Sequence, residues 1–444
     1  MDLKAIKEQI NEHNIDTIRL DFSDLYGICR SKIFPARRLE ETVEEGLNFV
    51  KAIFSVNLQN DVCPGTGCGE EVDWEDMNVR PDPSTFVVMP HQNNTARMIG
   101  DCYSHGEPLL VAPRQVLKRV LQRYEEKGLR AVAASELEFY LFKAGSKGQE
   151  RYSTRPTSVY QMNPRVDHLD MMRTLQNMFC RMGLDIIYLN HEFFPSQYEV
   201  NWKYDQALAM ADQTFTFKYI CKEVAFQNDL TLTFMARPRN DAGGSGYHVH
   251  MSLSDPKTRQ NLFNDPQDPH GLAEIMKWFI GGQIAHARGM SAIVAPTVNS
   301  YKRYVPNSFA PYNVAWGLDN RTVYVRVPHE RGPGTRVENR APCATANPYL
   351  TIAACLAAGL DGIEKKIDPG EPFVGDCYTA DTSKYPPLPM YLQEALEELN
   401  KDVVLCQALG PKLIQAFNAV KQAEVARFRT YVTEWEYCEY AYHL

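Results

Sequence analysis

The amino-acid sequence predicts an α+β protein of two unequal domains, with helices packed on the outer side of a β-sheet. Three observations support this prediction. Residues 1–105 contain short strand-like segments around one helix, whereas the rest of the chain alternates strand-like segments with long helical ones. The composition, 44% hydrophobic and 23% charged residues in a chain of 444, is that of a folded globular protein. We therefore predict an N-terminal domain over residues 1–105 and a second domain over residues 106–444.

The N-terminal region is predicted to start with an amphipathic helix in its first 14 residues, followed by strands. The run DTIRLDFSDLYGICRSKIF contains β-branched stretches that are broken at Gly27, a pattern typical of two strands and a turn. Further strands are predicted in TFVVMP and ARMIGDCY. The Gly- and Pro-rich stretch from Asn60 to Asp82 is predicted to be a long loop.

The second region begins with a helix that Pro113 heads and that ends near Gly128. Strand patterns follow at residues 131–142, 186–193, 230–236, 247–253, 322–328 and 335–342. Helical patterns lie between and after them, at residues 167–183, 205–229, 271–290, 346–366, 390–399 and 410–434.

The charge balance and the absence of certain signals limit the functional classes. The chain carries 47 Lys and Arg against 55 Asp and Glu, a net charge of −8, and it has no basic block that would bind nucleic acid or an anionic membrane. Its most apolar segment, near residues 350–360, is shorter than the roughly 20 residues that a membrane span needs. The 11 cysteines are scattered and the first residues lack a signal-peptide pattern, so we expect a cytoplasmic protein with a small-molecule site.

Three strand-like segments place ionisable residues two positions apart, which puts them on one face of a strand. A solvated face of an antiparallel sheet shows the same alternation, and that is the ordinary explanation for any one segment. These segments, however, offer only carboxylates, imidazoles and guanidinium groups, a coincidence that favours a site. The residues are Glu136 and Glu138 in ASELEF, His248 and His250 in GYHVHMS, and Arg336, Glu338 and Arg340 in TRVENR.

A fourth segment, HEFFPSQYE, adds Glu192 and Glu199 on either side of a Pro turn. Five carboxylates and one imidazole, His248, form an oxygen-rich ligand set that suits Mg²⁺ or Mn²⁺ better than a thiolate zinc site. So many like charges would repel one another strongly if they were buried without cations. The pattern therefore indicates two or more divalent metal ions per site.

Arginines on adjoining segments complement this acidic cluster. Surface salt bridges would explain any one of them, but guanidinium groups are also the preferred partners of phosphate and carboxylate. Metals with carboxylates on one side and arginines on the other describe a phosphoryl-transfer site. The P-loop pattern GxxxxGK[ST] is absent, so metal and side chains must hold the nucleotide. The arginines are Arg303, Arg321, Arg326, Arg336 and Arg340.

At these residues the sequence resembles the glutamine synthetase family. The resemblance lies in six motifs in the same order: SELEF, HEFFPSQYE, GSGYHVHMSL, NSYKRYVP, NRTVYVRVP and RVENRAPCATANPYLTIAACLAAGLDGI. FSDLYG, DMNVRPDPSTFVVMP and GEPLLVAPR extend it to the N-terminal third. The resemblance implies an N-terminal β-grasp domain, a catalytic domain on a curved, largely antiparallel sheet, and a homododecamer of two hexameric rings with active sites between neighbouring subunits.

The resemblance also implies a role for each matched residue. Glu138, Glu192 and Glu199 would hold the metal nearer the acidic substrate, and Glu136, His248 and Glu338 the metal that bridges the ATP phosphates. His250 and Ser252 match ATP-binding positions, as do the phosphate-binding Arg326 and Arg336. Gly244, Arg303 and Arg340 match contacts to L-glutamate, Arg321 the arginine that steadies the transferring phosphoryl group, and Asp24 the acid that takes a proton from ammonium.

Two departures from the family pattern bear on the second substrate. Phe309 stands where a second ammonium-binding acid is expected, and Gly243 stands where an Asn is usual. An aromatic ring offers a surface for a carbon chain or a cation–π contact. We therefore predict an ATP-dependent ligase that joins the γ-carboxylate of L-glutamate to an organic amine through γ-glutamyl phosphate, with Asp24 as the base.

Two alternatives remain. The first is an ammonium-dependent glutamine synthetase that tolerates Phe309. The second is an inactive scaffold, which is disfavoured because all six metal-ligand positions hold competent residues. Tyr378 lies roughly where some bacterial relatives carry a modified tyrosine, but an ordinary loop tyrosine is the better interpretation.

Overall fold

The computed structural model describes residues 1–145, 150–153, 159–162 and 170–444, and it confirms the predicted α+β fold. The described strands form two sheets, one of seven strands and one of nine. Glu107–Pro108 still pairs with the first sheet, and Arg130–Lys143 is the first strand of the second. The division of the chain into domains at residue 105 stays a prediction.

The first sheet is built from the N-terminal region. Its strands β1 to β7 are Thr17–Ser23, Cys29–Pro35, Leu47–Val50, Asp76–Pro81, Val87–Val88, Thr95–Ser104 and Glu107–Pro108. Strands β1 and β2 are antiparallel and turn at Gly27, whose positive φ of 79° suits glycine, so the predicted turn is confirmed. Strand β1 also pairs in parallel with β6, which lies at the centre of the sheet.

Three predictions for this region were wrong. Residues 76–81 form a strand that pairs with β6, although they lie inside the predicted loop; Met77, Val79 and Pro81 are buried and alternate with less buried residues, but the Gly and Pro residues of the stretch led to the loop prediction. The strand predicted in TFVVMP shrinks to Val87–Val88. A second helix, Leu39–Glu45, accompanies the N-terminal one, and its short, highly charged sequence buries only Leu39 and Thr42.

The second sheet follows in the chain and carries most of the predicted site residues. Its strands β8 to β16 are Arg130–Lys143, Ile186–His191, Gln197–Trp202, Asp205–Gln206, Leu230–Thr233, Tyr247–Ser254, Trp316–Leu318, Val325–Val327 and Val337–Asn339. The order is β14-β15-β16-β13-β8-β10-β9, with β11 and β12 also paired to β8. All of these pairs are antiparallel except β14 with β15, so β8 and β13 occupy the middle of a largely antiparallel sheet.

The described helices α1 to α12 are Leu3–Glu12, Leu39–Glu45, Pro113–Glu125, Asp170–Arg181, Ala207–Gln227, Glu274–Ala285, Ala287–Val294, Pro348–Lys365, Leu392–Lys401, Val403–Leu409, Pro411–Arg429 and Glu434–Tyr440. Helix α8 is buried from Pro348 to Gly362. It packs so closely on α6 that a Cβ added to Gly282 of α6 would lie only 2.0 Å from the Ala358 carbonyl oxygen of α8. The N-cap of α8, Asn347, also donates to the Asp24 carbonyl at 2.9 Å and so contacts the β1–β2 turn.

Two predicted helices are broken in the structure. The segment 271–290 forms α6 and α7 with a break at His286, whose ring lies between Asp361 and Asp402. The segment 410–434 forms α11, which ends at Arg429. Thr433 then caps a new helix, α12. The predicted helix 167–183 is described as Asp170–Arg181, and residues 167–169 lie outside the described part of the chain.

Within the described residues, no single helix has the length and apolar composition to cross a membrane. The bent pair Val403–Leu409 and Pro411–Tyr440, at 105°, meets that criterion only when the two are taken together.

Candidate active site

The register of the central strands brings the predicted ligand residues face to face. Glu136 on β8 lies directly opposite His248 on β13, and Glu138 on β8 lies opposite Glu199 on β10. Side chains that are opposite in register are separated by about 5 Å at their Cβ atoms. The sheet therefore assembles one cluster from residues that are up to about a hundred positions apart in the chain.

Glu136, Glu199 and His248 form the tightest group. One ligand atom of each lies within 4.8 Å of the others, and Nδ1 of His248 lies 2.6 Å from Oε1 of Glu136. Glu138 is adjacent, with Oε1 4.0 Å from Nε2 of His248. Its other oxygen accepts hydrogen bonds of 3.0 Å from the Gln197 side chain and from the Gly246 amide.

The carboxylates of this cluster differ in pKa because some face a cationic or imidazole side chain and others face further carboxylates. Burial and the charge of Glu138 raise the pKa of Glu192 to about 7. Burial and the neighbouring carboxylates raise the pKa of Glu199 well above its usual range. Burial would also raise the pKa of Glu136, but the facing His248 outweighs it and holds that pKa well below the usual range. Clustered carboxylates with one imidazole form an oxygen-rich donor set that fits hard divalent cations.

Glu338 lies at the edge of the cluster and is fully buried. It faces His250 in register, and its Oε1 is 3.6 Å from Nδ1 of His248. Its carboxylate also forms ion pairs with Arg326, at 2.7 Å, and with Arg340. Burial opposes its ionisation, but Arg340 and then His250 outweigh that effect and lower the pKa of Glu338 to about 2. Glu338 therefore connects the metal-ligand candidates to the arginines.

The predicted arginines divide into two groups. Arg326 also pairs with Asp319, and Arg336 pairs with Glu330 at 3.1 Å and donates to Nδ1 of His250 at 3.2 Å. By contrast, the structure shows no ion pair within 4.0 Å for Arg303 or Arg321 among the described residues. Arg303 is only 4% exposed and donates to backbone carbonyls, including that of Ala341 at 2.8 Å.

A cavity of about 1650 Å³ opens over this face of the sheet. It brings together fourteen of the sixteen predicted site residues. They are Glu136, Glu138, Glu192, Glu199, Gly244, His248, His250, Ser252, Arg303, Phe309, Arg321, Arg326, Arg336 and Arg340. Glu338 does not line the cavity itself, but its partners Arg326 and Arg340 do. Asp24 does not line the cavity.

Asp24 is buried in the β1–β2 turn. Its Oδ1 accepts hydrogen bonds of 2.9 Å from the amides of Tyr26 and Ile28, and its Oδ2 pairs with Arg30. Burial raises the pKa of Asp24 despite the opposing charge of Arg30. Within its own chain it is not brought together with the other candidates, so its assignment as the base stays a prediction.

The second-substrate candidate Phe309 lies in the cavity beside aromatic residues that the sequence analysis had not singled out. Its ring stacks on Phe193 with centroids 5.7 Å apart and an interplanar angle of 19°. Phe194 also lines the cavity, and a Cβ at Gly243 would lie 2.3 Å from its ring. The available signal was two successive phenylalanines directly after the candidate ligand Glu192.

Two further residues position the site. Gln197 donates from its side chain to Glu138 and, at 2.9 Å, to the Gly244 carbonyl, and so fixes the ligand strand against the GGSG loop. Tyr378 is half-buried and donates its hydroxyl to the Ala310 carbonyl at 2.9 Å. This contact gives Tyr378 a structural role next to Phe309, and its interpretation as an ordinary loop tyrosine stays a prediction.

Comparison with known proteins shows similarity over the whole chain. Residues 110–440 match the family described as glutamine synthetase, catalytic domain. A glutamine synthetase of Halobacterium salinarum is 36% identical over 98% of this chain and 95% of its own length. A glutamate–isopropylamine ligase of a Pseudomonas species is 35% identical over 98% of this chain and 97% of its own. The solved structure described as apo GmaS without ligand has a TM-score of 0.88 at 33% identity and covers 99% of both chains.

Proposed function

Because the chain belongs to the glutamine synthetase family of ligases, we propose that it joins the γ-carboxylate of L-glutamate to an organic amine at the expense of ATP. A carboxylate oxygen of glutamate attacks the γ-phosphorus of ATP and ADP leaves. The amine nitrogen then attacks the acyl carbon of γ-glutamyl phosphate, phosphate leaves, and the nitrogen loses a proton to a base. The product is a γ-glutamylamide.

The observation that carries this proposal is the stacking of Phe309 on Phe193 inside the cavity. A small ammonium ion needs carboxylates or other strong acceptors to replace its hydration shell. An aromatic pair offers no such acceptor, but it binds an alkyl or aryl group, and a ring face attracts the positive charge of a substituted ammonium. The name of the similar Pseudomonas protein, glutamate–isopropylamine ligase, supports this choice of substrate class.

Divalent metal ions fit the carboxylate and imidazole donors of the cluster. As the resemblance to the family implies, the residues that would hold them are Glu138, Glu192 and Glu199 on the glutamate side, and Glu136, His248 and Glu338 on the nucleotide side; of these, Glu136, Glu199 and His248 form the tightest group. When bound, such ions neutralise phosphate charge that builds up during transfer. A bound cation would favour the ionised forms of Glu192 and Glu199, whose pKa values burial and neighbouring carboxylates raise.

The chain's own cations would hold the anionic substrates. Arg303 is buried without a carboxylate partner among the described residues, and such a guanidinium is satisfied by a bidentate substrate carboxylate. Gly244 leaves the space for it, because a Cβ there would lie 2.5 Å from Cγ of Arg303. Arg321, exposed in the cavity, and Arg336, beside His250, would contact phosphate.

The amine must lose a proton before or during attack, since an alkylammonium has a pKa near ~10 by analogy with lysine. Asp24 remains our candidate for the base. Because Asp24 does not line the cavity of its own chain, it would act in the site of a neighbouring copy in a ring-shaped oligomer. Its Oδ2 pairs with Nε of Arg30 at 2.9 Å and with Nη2 of Arg30 at 2.8 Å, and an amine proton would replace one of these two contacts.

Ammonium-dependent glutamine synthesis is the second candidate, because relatives of similar identity carry the name glutamine synthetase. Steady-state ADP release with glutamate, ATP and one amine at a time separates the two. The panel is ammonium, methylamine, isopropylamine, ethanolamine, putrescine and aniline. The proposal requires an organic amine to give the highest kcat/KM, and a highest value for ammonium would establish the alternative.

A further inference from the structure

Three phenylalanines line the cavity and form what we call the aromatic wall: Phe193, Phe194 and Phe309. All three side chains are solvent-accessible within the cavity, at 55%, 37% and 50% exposure. Large aromatic side chains that stay exposed and adjacent are uncommon on a surface without a ligand or partner. Phe193 follows the candidate metal ligand Glu192 directly, so the wall begins where the glutamate γ-carboxylate would be activated.

The position of Phe194 depends on the absence of a side chain at residue 243. An added Cβ at Gly243 would lie 2.3 and 2.5 Å from two ring carbons of Phe194, which is closer than atoms pack. The φ of Gly243 lies outside the left-handed region, so space and not backbone conformation requires glycine here. The glycine at 243 therefore makes room for the ring of Phe194 in the wall.

Phe309 is held in place by contacts on both sides of its backbone. Its φ of 57° is rare for an aromatic residue, and such strain persists only where neighbours hold it. Arg340 donates to the Phe309 carbonyl at 3.3 Å, and the Tyr378 hydroxyl donates to the next carbonyl, Ala310, at 2.9 Å. Arg340 also pairs with Glu338, so the ring is positioned by the same network that builds the catalytic cluster.

The charges around the wall are unfavourable for a second cation. Among the described residues, five carboxylates line the cavity: four belong to the ligand cluster, and the fifth, Glu330, pairs with Arg336. The segment 302–310 that carries Phe309 contributes Lys302 and Arg303 and no acid. A distal ammonium group seated at the wall would thus lose its hydration without gaining a free carboxylate.

We infer that the aromatic wall binds the substituent on the amine nitrogen, and that this substituent is an uncharged alkyl or aryl group. Diamines and polyamines are disfavoured because, among the described residues of this chain, the cavity offers their second ammonium group no unpaired carboxylate outside the ligand cluster. This inference rests on the proposed function and narrows it to monoamines.

A matched pair of amines tests whether the substituent that binds the aromatic wall must be uncharged. n-Butylamine and putrescine have the same four carbons and differ in one terminal ammonium group. We expect kcat/KM for butylamine to exceed that for putrescine by about tenfold or more, with ammonium below both or between them. A value for putrescine equal to or above that for butylamine overturns the inference while leaving an organic-amine ligase in place. A value for ammonium above that for butylamine overturns the proposed function itself.

Wall variants test the residues. Phe193→Ala and Phe309→Ala should each raise KM for butylamine by about tenfold, while KM for glutamate and for ATP stays within about twofold. The matched control is Phe226→Ala, since Phe226 is 80% exposed on α5 and does not line the cavity. An unchanged KM for butylamine, or an equal rise in KM for glutamate, overturns the assignment. Phe193→Leu and Phe309→Leu, which keep an apolar surface, should restore most of the affinity for butylamine.

A double-mutant cycle tests the link between residues 194 and 243. Gly243→Ala should raise KM for butylamine because the added methyl group displaces the Phe194 ring. In a Phe194→Ala background the same change should have no further effect. Additive effects of the two substitutions would show that Gly243 does not act through Phe194 and that Phe194 is not part of the wall.

Discussion

Oε1 of Glu136 lies 2.6 Å from Nδ1 of His248 because the two residues face each other on the central strands β8 and β13. The pairing fixes the imidazole and leaves its Nε2 directed toward Glu138 and Arg303, at 4.0 and 3.4 Å. A cluster built on sheet strands is held more rigidly than one built on loops. The candidate site is therefore largely formed before any substrate binds.

The first prediction concerns this imidazole. His248→Gln should weaken binding of Mn²⁺ by at least roughly tenfold, because it replaces a ring nitrogen ligand and releases Glu136 from its partner. Isothermal titration calorimetry with MnCl₂ on metal-free protein measures the change. The matched control is His270→Gln, at an exposed histidine that does not line the cavity. Equal Mn²⁺ affinity in wild type and His248→Gln would exclude His248 from the ligand set.

The second prediction concerns Glu338. Glu338→Ala should abolish ADP release while the protein keeps its oligomeric state, and it should lower the free energy of unfolding by about 3–5 kcal/mol, because two guanidinium groups lose a buried counter-charge. Activity, size-exclusion chromatography and chemical denaturation give the three readings. The exposed Glu371→Ala is the control for loss of a carboxylate. Retained turnover in Glu338→Ala would contradict the placement of Glu338 in the catalytic cluster.

The third prediction concerns the space beside Arg303. Gly244→Ala should raise KM for glutamate by about tenfold or more with little change in KM for ATP, because the new methyl group would lie 2.5 Å from Cγ of Arg303 and displace its guanidinium. Gly69→Ala is the control, since a Cβ at Gly69 meets nothing closer than 3.4 Å. If KM for glutamate is unchanged in Gly244→Ala, Arg303 is not the glutamate contact.

The fourth prediction concerns pH and the break between α6 and α7. Burial disfavours the charged form of His286, but the hydrogen bonds to Asp402 and Asp361, at 2.7 and 3.0 Å, outweigh this and raise its pKa. A raised pKa in the folded state gives stability that is fully present below the unfolded pKa of about 6.5 and is lost as pH rises through the folded value.

The Tm difference between wild type and His286→Asn should therefore be largest at or below pH 6.5, on the order of 2 °C, and should shrink toward pH 9. Differential scanning fluorimetry across this range measures it. A difference that grows with rising pH would contradict the ion-pair interpretation. His443→Asn, at an exposed histidine near the C-terminus, serves as the control.

Part of this structure could be predicted from the sequence because strand alternation is local. The i, i+2 spacing correctly placed Glu136 with Glu138 and His248 with His250 on one face of their strands. The strand Asp76–Pro81 was missed because it lies at the end of a Gly- and Pro-rich stretch, and its partner β6 lies about twenty residues later in the chain. The break of the helical pattern at His286 likewise depends on Asp402, a tertiary partner.

The candidate site shows the same limit. Residue types and family motifs predicted fourteen residues that the structure gathers around one cavity. The stacking of Phe309 on Phe193 joins segments more than a hundred residues apart. The close approach of Gly243 to Phe194 also joins residues that are distant in the chain. Neither contact could be inferred from sequence spacing. Sequence identified the unusual residues at 309 and 243, and only the fold shows what they contact.

Direct competition between ammonium and isopropylamine tests the central claim. The enzyme is incubated with glutamate, ATP, Mg²⁺ and equal concentrations of the two amines, and mass spectrometry measures the initial ratio of γ-glutamylisopropylamide to glutamine, which equals the ratio of the kcat/KM values. An aromatic wall in place of an ammonium-binding acid predicts at least about ten molecules of the amide for each glutamine. A product mixture dominated by glutamine would contradict it.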